Sequence, residues 1–343
     1  MIRGYRNRPG EHCGSTAMRN LIHHYCGLDL SEAVIFGLGS GIDFLLLEAH
    51  EHDPGVLVFG RSATLEPDVA AALGIDYRER VESDDDRAWE QVREEVALGR
   101  PTMLSGDAYY LDYRDFKVHF PAHRFVLLGF DDDRQVAFVA DRLDLEPQAC
   151  SYGALRLSRN PPDFISTQNL WGRFGDARAH HPLEAAYGTA IAESARRMLG
   201  RDAAPARLSL APAEPAFRVA RGLAGLVEFE RQLPDWAARD DLEFLASYTS
   251  QCIEKFGTGG GNFRTLYAAF LRAAQAAVPD LVNATAPGLA AQASAQWTAL
   301  AGALRELGQS RSREASERGR RAVSEIIALE ARLFESLAAR AAI

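Results

Sequence analysis

The sequence predicts an α+β chain: a mixed first half built on an antiparallel sheet, then an all-α C-terminal domain. Three observations predict it. As far as residue 160, short apolar runs bounded by turn residues alternate with stretches of helical spacing. Two apolar runs flank Asp131-Asp132-Asp133-Arg134, the pattern of a β-hairpin. From Pro182 onward, apolar residues recur at helical spacing in a background rich in Ala, Leu, Arg and Glu. The expected division is residues 1–165 and 166–343, with Pro161-Pro162 and the polar stretch after it as the linker.

Each element has its own signal. Cys13 to Cys26 reads as a helix with Ala17, Leu21 and Tyr25 on one face and Gly27 as its stop. Ser31 is the N-cap expected for a short second helix, followed by a glycine-rich bend at 37–41. Ile42–Leu47 and Val56–Phe59 read as buried strands, and Glu66–Leu73 as a helix stopped by Gly74. Asp86–Leu98 is amphipathic, with Trp89, Val92 and Val96 inward; Asp84-Asp85-Asp86 caps it, and Gly99 and Pro101 end it. Thr102–Ser105 is a short strand, and Arg124–Phe130 with Gln135–Ala140 forms the hairpin. The helices expected beyond are 183–199, 215–233, 242–256, 262–278, 287–307 and 313–341. The last carries Val323, Ile326, Ile327, Leu333 and Leu337 on a bundle-core face.

Composition narrows the function classes. Of 343 residues, 47% are hydrophobic and 25% charged, enough apolar material for a core without disulfide or metal staples. A net charge of -9 disfavours general nucleic-acid binding, which is driven by phosphate neutralisation. Only Lys117 and Lys255 among the 38 Lys+Arg are lysines, a bias we read as genome composition. Cys13, Cys26, Cys150 and Cys252 are scattered without a CxxC pair, which argues against a zinc site or a disulfide framework. The first eight residues lack an apolar core and no apolar run is long enough to span a bilayer, so a cytoplasmic location is expected.

Cys13 opens the first helix inside Glu11-His12-Cys13-Gly14-Ser15-Thr16. A thiol at a helix N-terminus feels the positive end of the dipole, and nearby backbone N–H groups point at whatever the sulfur attacks. His123 opens one hairpin strand and Asp141 ends the other, so antiparallel pairing brings them to the same end. Asp141 can then hold the imidazole while the other ring nitrogen faces Cys13. His119 is the rival base. A buried structural cysteine and a strand-end histidine are the competing readings, and the chain order Cys, His, Asp favours catalysis. Metal is not expected: His23-His24, His50 with His52, and His180-His181 lack a carboxylate at a ligating spacing. Gly257-Thr258-Gly259-Gly260-Gly261-Asn262 fits either an anion cradle at a helix start or a tight helix-to-helix connection, and is not a Walker loop.

Four segments together resemble the butirosin-biosynthesis acyltransferase family: His12–Leu21, Leu30–Ala33, Phe36–Gly41 and Gly257–Arg264. The resemblance covers most of the chain. It implies a papain-like, bacteriocin-processing-peptidase-like N-terminal domain followed by a helical domain. It also implies transfer of an acyl group from a carrier-protein thioester to an amine, forming an amide. By carry-over Cys13 is the nucleophile, His123 the base and Asp141 the orienting group. Gly14, Ser15, Gly39, Ser40, Gly259, Gly260, Asn262 and Arg264 are the substrate-binding candidates. No cofactor is implied beyond a phosphopantetheine-bound acyl thioester as donor substrate. The expected partners are an acyl carrier protein or small thioester and an amine acceptor. Docking candidates are Arg196, Arg197 and Arg201, or Arg318, Arg320 and Arg321. The helical part has three open roles: lid, carrier dock or homodimer interface. The alternative activity is a papain-like peptidase or amide hydrolase. Two departures stand out: Asn7 lies where papain-like enzymes carry an oxyanion-hole glutamine, and Ala122 replaces an expected glycine before His123.

Overall fold

The computed structural model describes residues 1–48, 55–120, 123–162, 166–176, 178–201 and 218–341. In chain order the elements are α1 (Cys13–Cys26), α2 (Glu32–Leu38), β1 (Ile42–Glu48), β2 (Val56–Arg61), α3 (Leu65–Leu73), β3 (Tyr77–Arg80), α4 (Asp85–Ala97), β4 (Thr102–Gly106), β5 (His123–Asp131), β6 (Val136–Ala140), β7 (Gln148–Ser151), α5 (Tyr152–Arg159), β8 (Trp171–Phe174), α6 (Leu183–Met198), β9 (Arg218–Arg221), α7 (Gly222–Gln232), α8 (Leu242–Glu254), α9 (Arg264–Ala277), α10 (Ala286–Ser310) and α11 (Arg313–Ala341). The chain is α+β, as its patterning predicts.

Two compact units emerge, and they do not follow a linear split near residue 165. Among the described residues, the first unit comprises 1–35 and 73–181; the second comprises 36–72, 182–201 and 218–341. Residues 36–72, expected with the N-terminal part, therefore pack with the C-terminal helices, while β8 returns to the first unit.

The first unit is organised on an antiparallel sheet in the order β3-β8-β4-β5-β6-β7. Its centre is apolar because β4, β5 and β6 carry Leu104, Phe125, Leu127 and Val139, each fully buried with Trp171 and Cys150. Each such side chain removed from water contributes about 1.5–3 kcal/mol. Helix α1 packs on β5 through its apolar stripe, on which Met18, Leu21 and Ile22 are fully buried. Gly27 ends α1 at φ 68°, a left-handed conformation that glycine adopts without a Cβ penalty, and its N–H reaches the His23 carbonyl at 3.1 Å. Asp84 caps α4 by accepting from Arg87 N–H at 2.9 Å.

The second unit holds a three-stranded sheet, β2-β1-β9, with α6 to α11. This corrects the all-α expectation. The single helix read over 215–233 begins instead with β9, whose residues 218–221 pair antiparallel with Leu45–Glu48 of β1. Helix α7 follows directly. Strands β3, β7 and β8 and helix α5 also escaped the periodicity reading. Tyr77-Arg78-Glu79-Arg80 is a polar strand at the sheet's edge, where one side needs no apolar cover.

Candidate active site

Cys13 is the first residue of α1, and 3% of its surface is exposed. His12 is the N-cap: its ring Nδ1 accepts from Ser15 N–H at 3.2 Å. The first intrahelical bond runs from Thr16 N–H to the His12 carbonyl, so the Cys13 and Gly14 N–H groups precede the ladder. One carboxylate gathers this turn. Glu32 accepts from Glu11 N–H, His12 N–H at 2.7 Å, and the Ser15 and Thr16 hydroxyls at 3.1 Å.

The hairpin register supplies the partner pair. Val126 lies opposite Ala140, which sets Asp141 across from Phe125. His123 is two residues from Phe125 and shares its face, so His123 and Asp141 are diagonal neighbours, within reach of their side chains. His123 Nε2 lies 2.9 Å from Asp141 Oδ2. Nδ1 is then the ring nitrogen not engaged by Asp141, and Cys13 lies near enough to His123 for each to bear on the other's ionisation. Of the three residues expected together, His123 and Asp141 are hydrogen-bonded, and Cys13 is buried at the start of α1, which packs on β5.

The Asp141 carboxylate is fully buried and densely bonded. Its Oδ2 also accepts from the Tyr113 hydroxyl at 2.9 Å and Arg114 Nε at 3.0 Å, and its Oδ1 from Arg142 N–H. Four bonds stitch the loop before Cys13 to the loop bearing Asp141. Asn7 Nδ2 donates to the Asp141 and Asp144 carbonyls, Gly10 N–H to the Arg142 carbonyl, and Arg142 to the Glu11 carbonyl. The loop before Cys13 and the loop bearing Asp141 are therefore held in one frame.

The electrostatics follow from this arrangement. Burial opposes charge on His123, but the Asp141 carboxylate outweighs it and, with the Cys13 contact, raises the imidazole to about 9. Burial likewise opposes a Cys13 thiolate, but hydrogen bonds and charge from His12 and His123 hold the thiol well below its ordinary value. Despite burial, Asp141 is held well below the usual carboxylate range by His123, Arg114 and the Arg142 N–H. The other thiols go the opposite way. Burial raises Cys26, Cys150 and Cys252, the last to about 12. Of the four cysteines, Cys13 alone is shifted toward thiolate, and His123 beside it is shifted toward its charged form.

The remaining candidates have other surroundings. His119 is half-exposed, stacked on Tyr109 and bonded through Nδ1 to Asp107 at 2.7 Å. Asn7 does not act as an oxyanion donor, since both its amide hydrogens serve carbonyls. Ser15 is engaged by His12 and Glu32. Gly39, Ser40, Gly259, Gly260, Asn262 and Arg264 belong to the second unit. There Gly39 faces the Leu65 carbonyl, where a Cβ would lie 2.6 Å from oxygen, and Ser40 donates to the Ala190 carbonyl. The glycine-rich loop is internally occupied: Gly260 N–H donates to Thr258 Oγ1 and Gly261 N–H to the Glu254 carboxylate, both at 3.1 Å. A carboxylate at that position repels phosphate, so the contacts match the tight-connection reading. Arg264, 1% exposed, is paired bidentately with Glu330 at 2.7 and 2.8 Å and donates to the Asp43, Gly60 and Asn262 carbonyls. Its guanidinium has an internal role.

Of the docking arginines, Arg197 is buried against Asp68 and Glu193, Arg196 pairs with Glu193, Arg318 with Glu306 and Arg320 with Glu230. His50, His52 and Ala122 lie outside the described residues. Sequence reasoning missed Tyr113, Arg114 and Glu32. Tyr113 and Arg114 follow a tyrosine-rich turn with no periodic signal, and Glu32 resembles any acidic residue in a helix's first turn. No helix among the described residues is long and apolar enough to cross a membrane.

Two family models match the chain. One, described as butirosin biosynthesis protein H, N-terminal, covers residues 12–142 and so includes Cys13, His123 and Asp141. The other, a domain of unknown function named DUF4872, covers residues 154–337, more than half of the chain. The two matches abut in sequence, whereas the compact units interleave. No curated protein matches the chain.

Proposed function

As this chain belongs to the family of butirosin biosynthesis protein H, we propose that it is a cysteine-dependent acyltransferase that moves an acyl group from a thioester to an amine. The family is one of antibiotic biosynthesis, which supports a biosynthetic enzyme of secondary metabolism. One observation carries the chemistry: of four cysteines, only Cys13 is moved toward thiolate, and the histidine that shifts it is the one paired with Asp141 at 2.9 Å.

In the first step the Cys13 sulfur attacks the thioester carbonyl. A new sulfur–carbon bond forms, the donor's carbon–sulfur bond breaks, and the donor thiolate leaves with the proton held by His123. In the second step the amine nitrogen attacks the acyl-Cys13 carbonyl, His123 takes its proton, and the Cys13 thiolate is released as the amide forms. Exchange between two thioesters is nearly balanced, and amide formation draws the sequence forward. The Cys13 and Gly14 N–H groups, ahead of the helical ladder at the start of α1, are the backbone donors assigned to the developing oxyanion. A donor carried on phosphopantetheine fits this chemistry, and no metal or nucleotide enters the steps. The papain-like order Cys, His, Asp and the antiparallel hairpin delivering the last two support the same reading.

Intact-protein mass spectrometry after mixing with a panel of acyl thioesters tests the proposal. The expected result is a mass gain equal to the acyl group, absent in Cys13→Ala and discharged faster by amines than by water. Discharge chiefly by water would make the protein a hydrolase. No adduct, together with a Cys13 inert to alkylation, would overturn the nucleophile assignment.

A further inference from the structure

Three side chains converge on one oxygen of the Asp141 carboxylate. His123 Nε2 lies 2.9 Å from Oδ2, which also accepts from the Tyr113 hydroxyl at 2.9 Å and from Arg114 Nε at 3.0 Å. A carboxylate oxygen offers about two lone-pair sites, so the three compete for it. The other oxygen, Oδ1, is held by the Arg142 N–H. Arg114 is anchored from its far side by the Asp144 carboxylate. The Asp141 side chain is fully buried and that of Arg114 is 16% exposed, so little solvent screens these charges. A histidine and an arginine thus draw on one buried negative charge, and neither step of the proposed reaction uses the arginine.

We propose that Arg114 is a positioning residue that shares the Asp141 carboxylate with His123 and so limits how firmly the imidazolium holds its proton. The proposal rests on the reading of His123 as the base that serves Cys13. Asp141 drives the ring toward its charged form, at about 9. A ring held more firmly still would yield its proton less readily to the donor thiolate and would less often be neutral to take one from the amine. Arg114 pulls the other way. It takes part of the carboxylate's bonding and sets a second positive charge near the ring. Tyr113 supplies a neutral donor and no charge. Around His123 stand Cys13 on α1 with His12 at its cap, Asp141 beyond β6 with Arg114 and Asp144 behind it, and Asp107 with His119 beyond β4. Arg124, its neighbour on β5, pairs with Glu79, and the Arg142 guanidinium donates to the Glu11 carbonyl. Helix α4 meets the same sheet with Val92 and Val96, and its Glu95 pairs with Arg100 and Arg173.

The test is the titration of His123 in the full-length protein, followed by NMR of histidine labelled at Cε1, with the His123 signal assigned by its loss in His123→Gln. Arg114→Gln keeps a donor for Asp141 without the charge, and Arg114→Lys keeps the charge. The midpoint should rise by about one pH unit in Arg114→Gln, which is about tenfold less neutral imidazole below it, and should return toward wild type in Arg114→Lys. Asp144→Asn, a change at a part-exposed side chain, removes a negative charge from Arg114 and should lower the midpoint. A midpoint unchanged or lowered in Arg114→Gln overturns the proposal, as does Arg114→Lys behaving like Arg114→Gln. If Arg114→Gln does not fold, Asp144→Asn decides: a midpoint unchanged or raised there overturns it. A second readout separates tuning from mere support. Arg114→Gln should discharge acyl-Cys13 to an amine about tenfold more slowly at pH 7 while Cys13 alkylation by iodoacetamide is not slowed. An arginine that only props Asp141 in place would, when lost, slow both. Absence of any acyl adduct in wild type would instead defeat the acyl-transfer reading, and the His123 titration would still decide the role of Arg114.

Discussion

Asp141→Asn removes the negative charge at the centre of the candidate site while keeping its volume and one carbonyl oxygen. The magnitude follows from the raised imidazole. His123 moves from an ordinary 6.5 to about 9 against the opposition of burial, with Asp141 the largest favourable influence. That displacement corresponds to about 3 kcal/mol favouring the charged ring. Without the carboxylate, burial prevails, His123 is neutral at pH 7, and Cys13 loses the charge on one of its two histidine partners. The variant should therefore show Cys13 alkylation at least about tenfold slower at pH 7 than wild type, with recovery as pH approaches the ordinary thiol range. Cys13 still sits at the N-terminus of α1, whose dipole favours the thiolate, so the loss is partial. Stability changes with a defined sign. A group raised in the folded state stabilises fully below its unfolded value of 6.5, and this stabilisation is lost as pH rises through about 9. Urea denaturation of wild type should show that alkaline loss, and Asp141→Asn should flatten it. An alkylation profile superposable on wild type would refute the reasoning, because it would mean that the imidazole charge does not control the thiol.

Further outcomes follow from the same contacts. Arg264→Met strands the fully buried Glu330 carboxylate and should cost about 3–5 kcal/mol in urea denaturation, with much of it recovered in Arg264→Met/Glu330→Leu. Gly261→Ala places a Cβ 2.7 Å from the Ser294 carbonyl at φ 57° and should destabilise by about 1–3 kcal/mol. Gly288→Ala, with open space around it in α10, should stabilise by up to about 1 kcal/mol, both variants being read by thermal melts against wild type. Glu32→Ala removes the acceptor of two backbone N–H groups and two hydroxyls around the turn that carries Cys13. It should cost about 1–3 kcal/mol in urea and slow Cys13 alkylation, whereas an unchanged alkylation rate would show that the turn holds its shape without it.

Much of the site was legible because its signals are local. A cysteine opening an apolar-faced helix, a histidine opening a strand and an aspartate closing the partner strand are each marked by periodicity and turn chemistry within a few residues. Hairpin pairing then needs only the intervening turn, so Asp141 could be set beside His123 without knowledge of the rest of the fold. The helices of the C-terminal half were legible for the same reason, since a 3.6-residue apolar repeat is a property of the segment itself. The match to residues 12–142 likewise lies over this locally marked stretch.

Other features depended on groups distant in the chain. Gly257–Asn262 carries the composition of an anion cradle, yet its N–H groups meet Thr258 and Glu254, and Arg264 meets Glu330 66 residues away. Strand β9 exists because β1 offers it an edge, and nothing in Arg218–Arg221 alone requires a strand. Residues 36–72 joined the second unit through sheet and helix packing that no local pattern encodes. By itself the sequence determined the α+β class, most helix positions, the helix-start cysteine and the His–Asp hairpin, because these arise from backbone propensity and short-range pairing. Only the tertiary structure decided which cysteine is driven toward thiolate, which residues brace Asp141, and where the glycine-rich loop's donors go. Burial and charge proximity are sums over everything that surrounds a group, and those surroundings come from all along the chain.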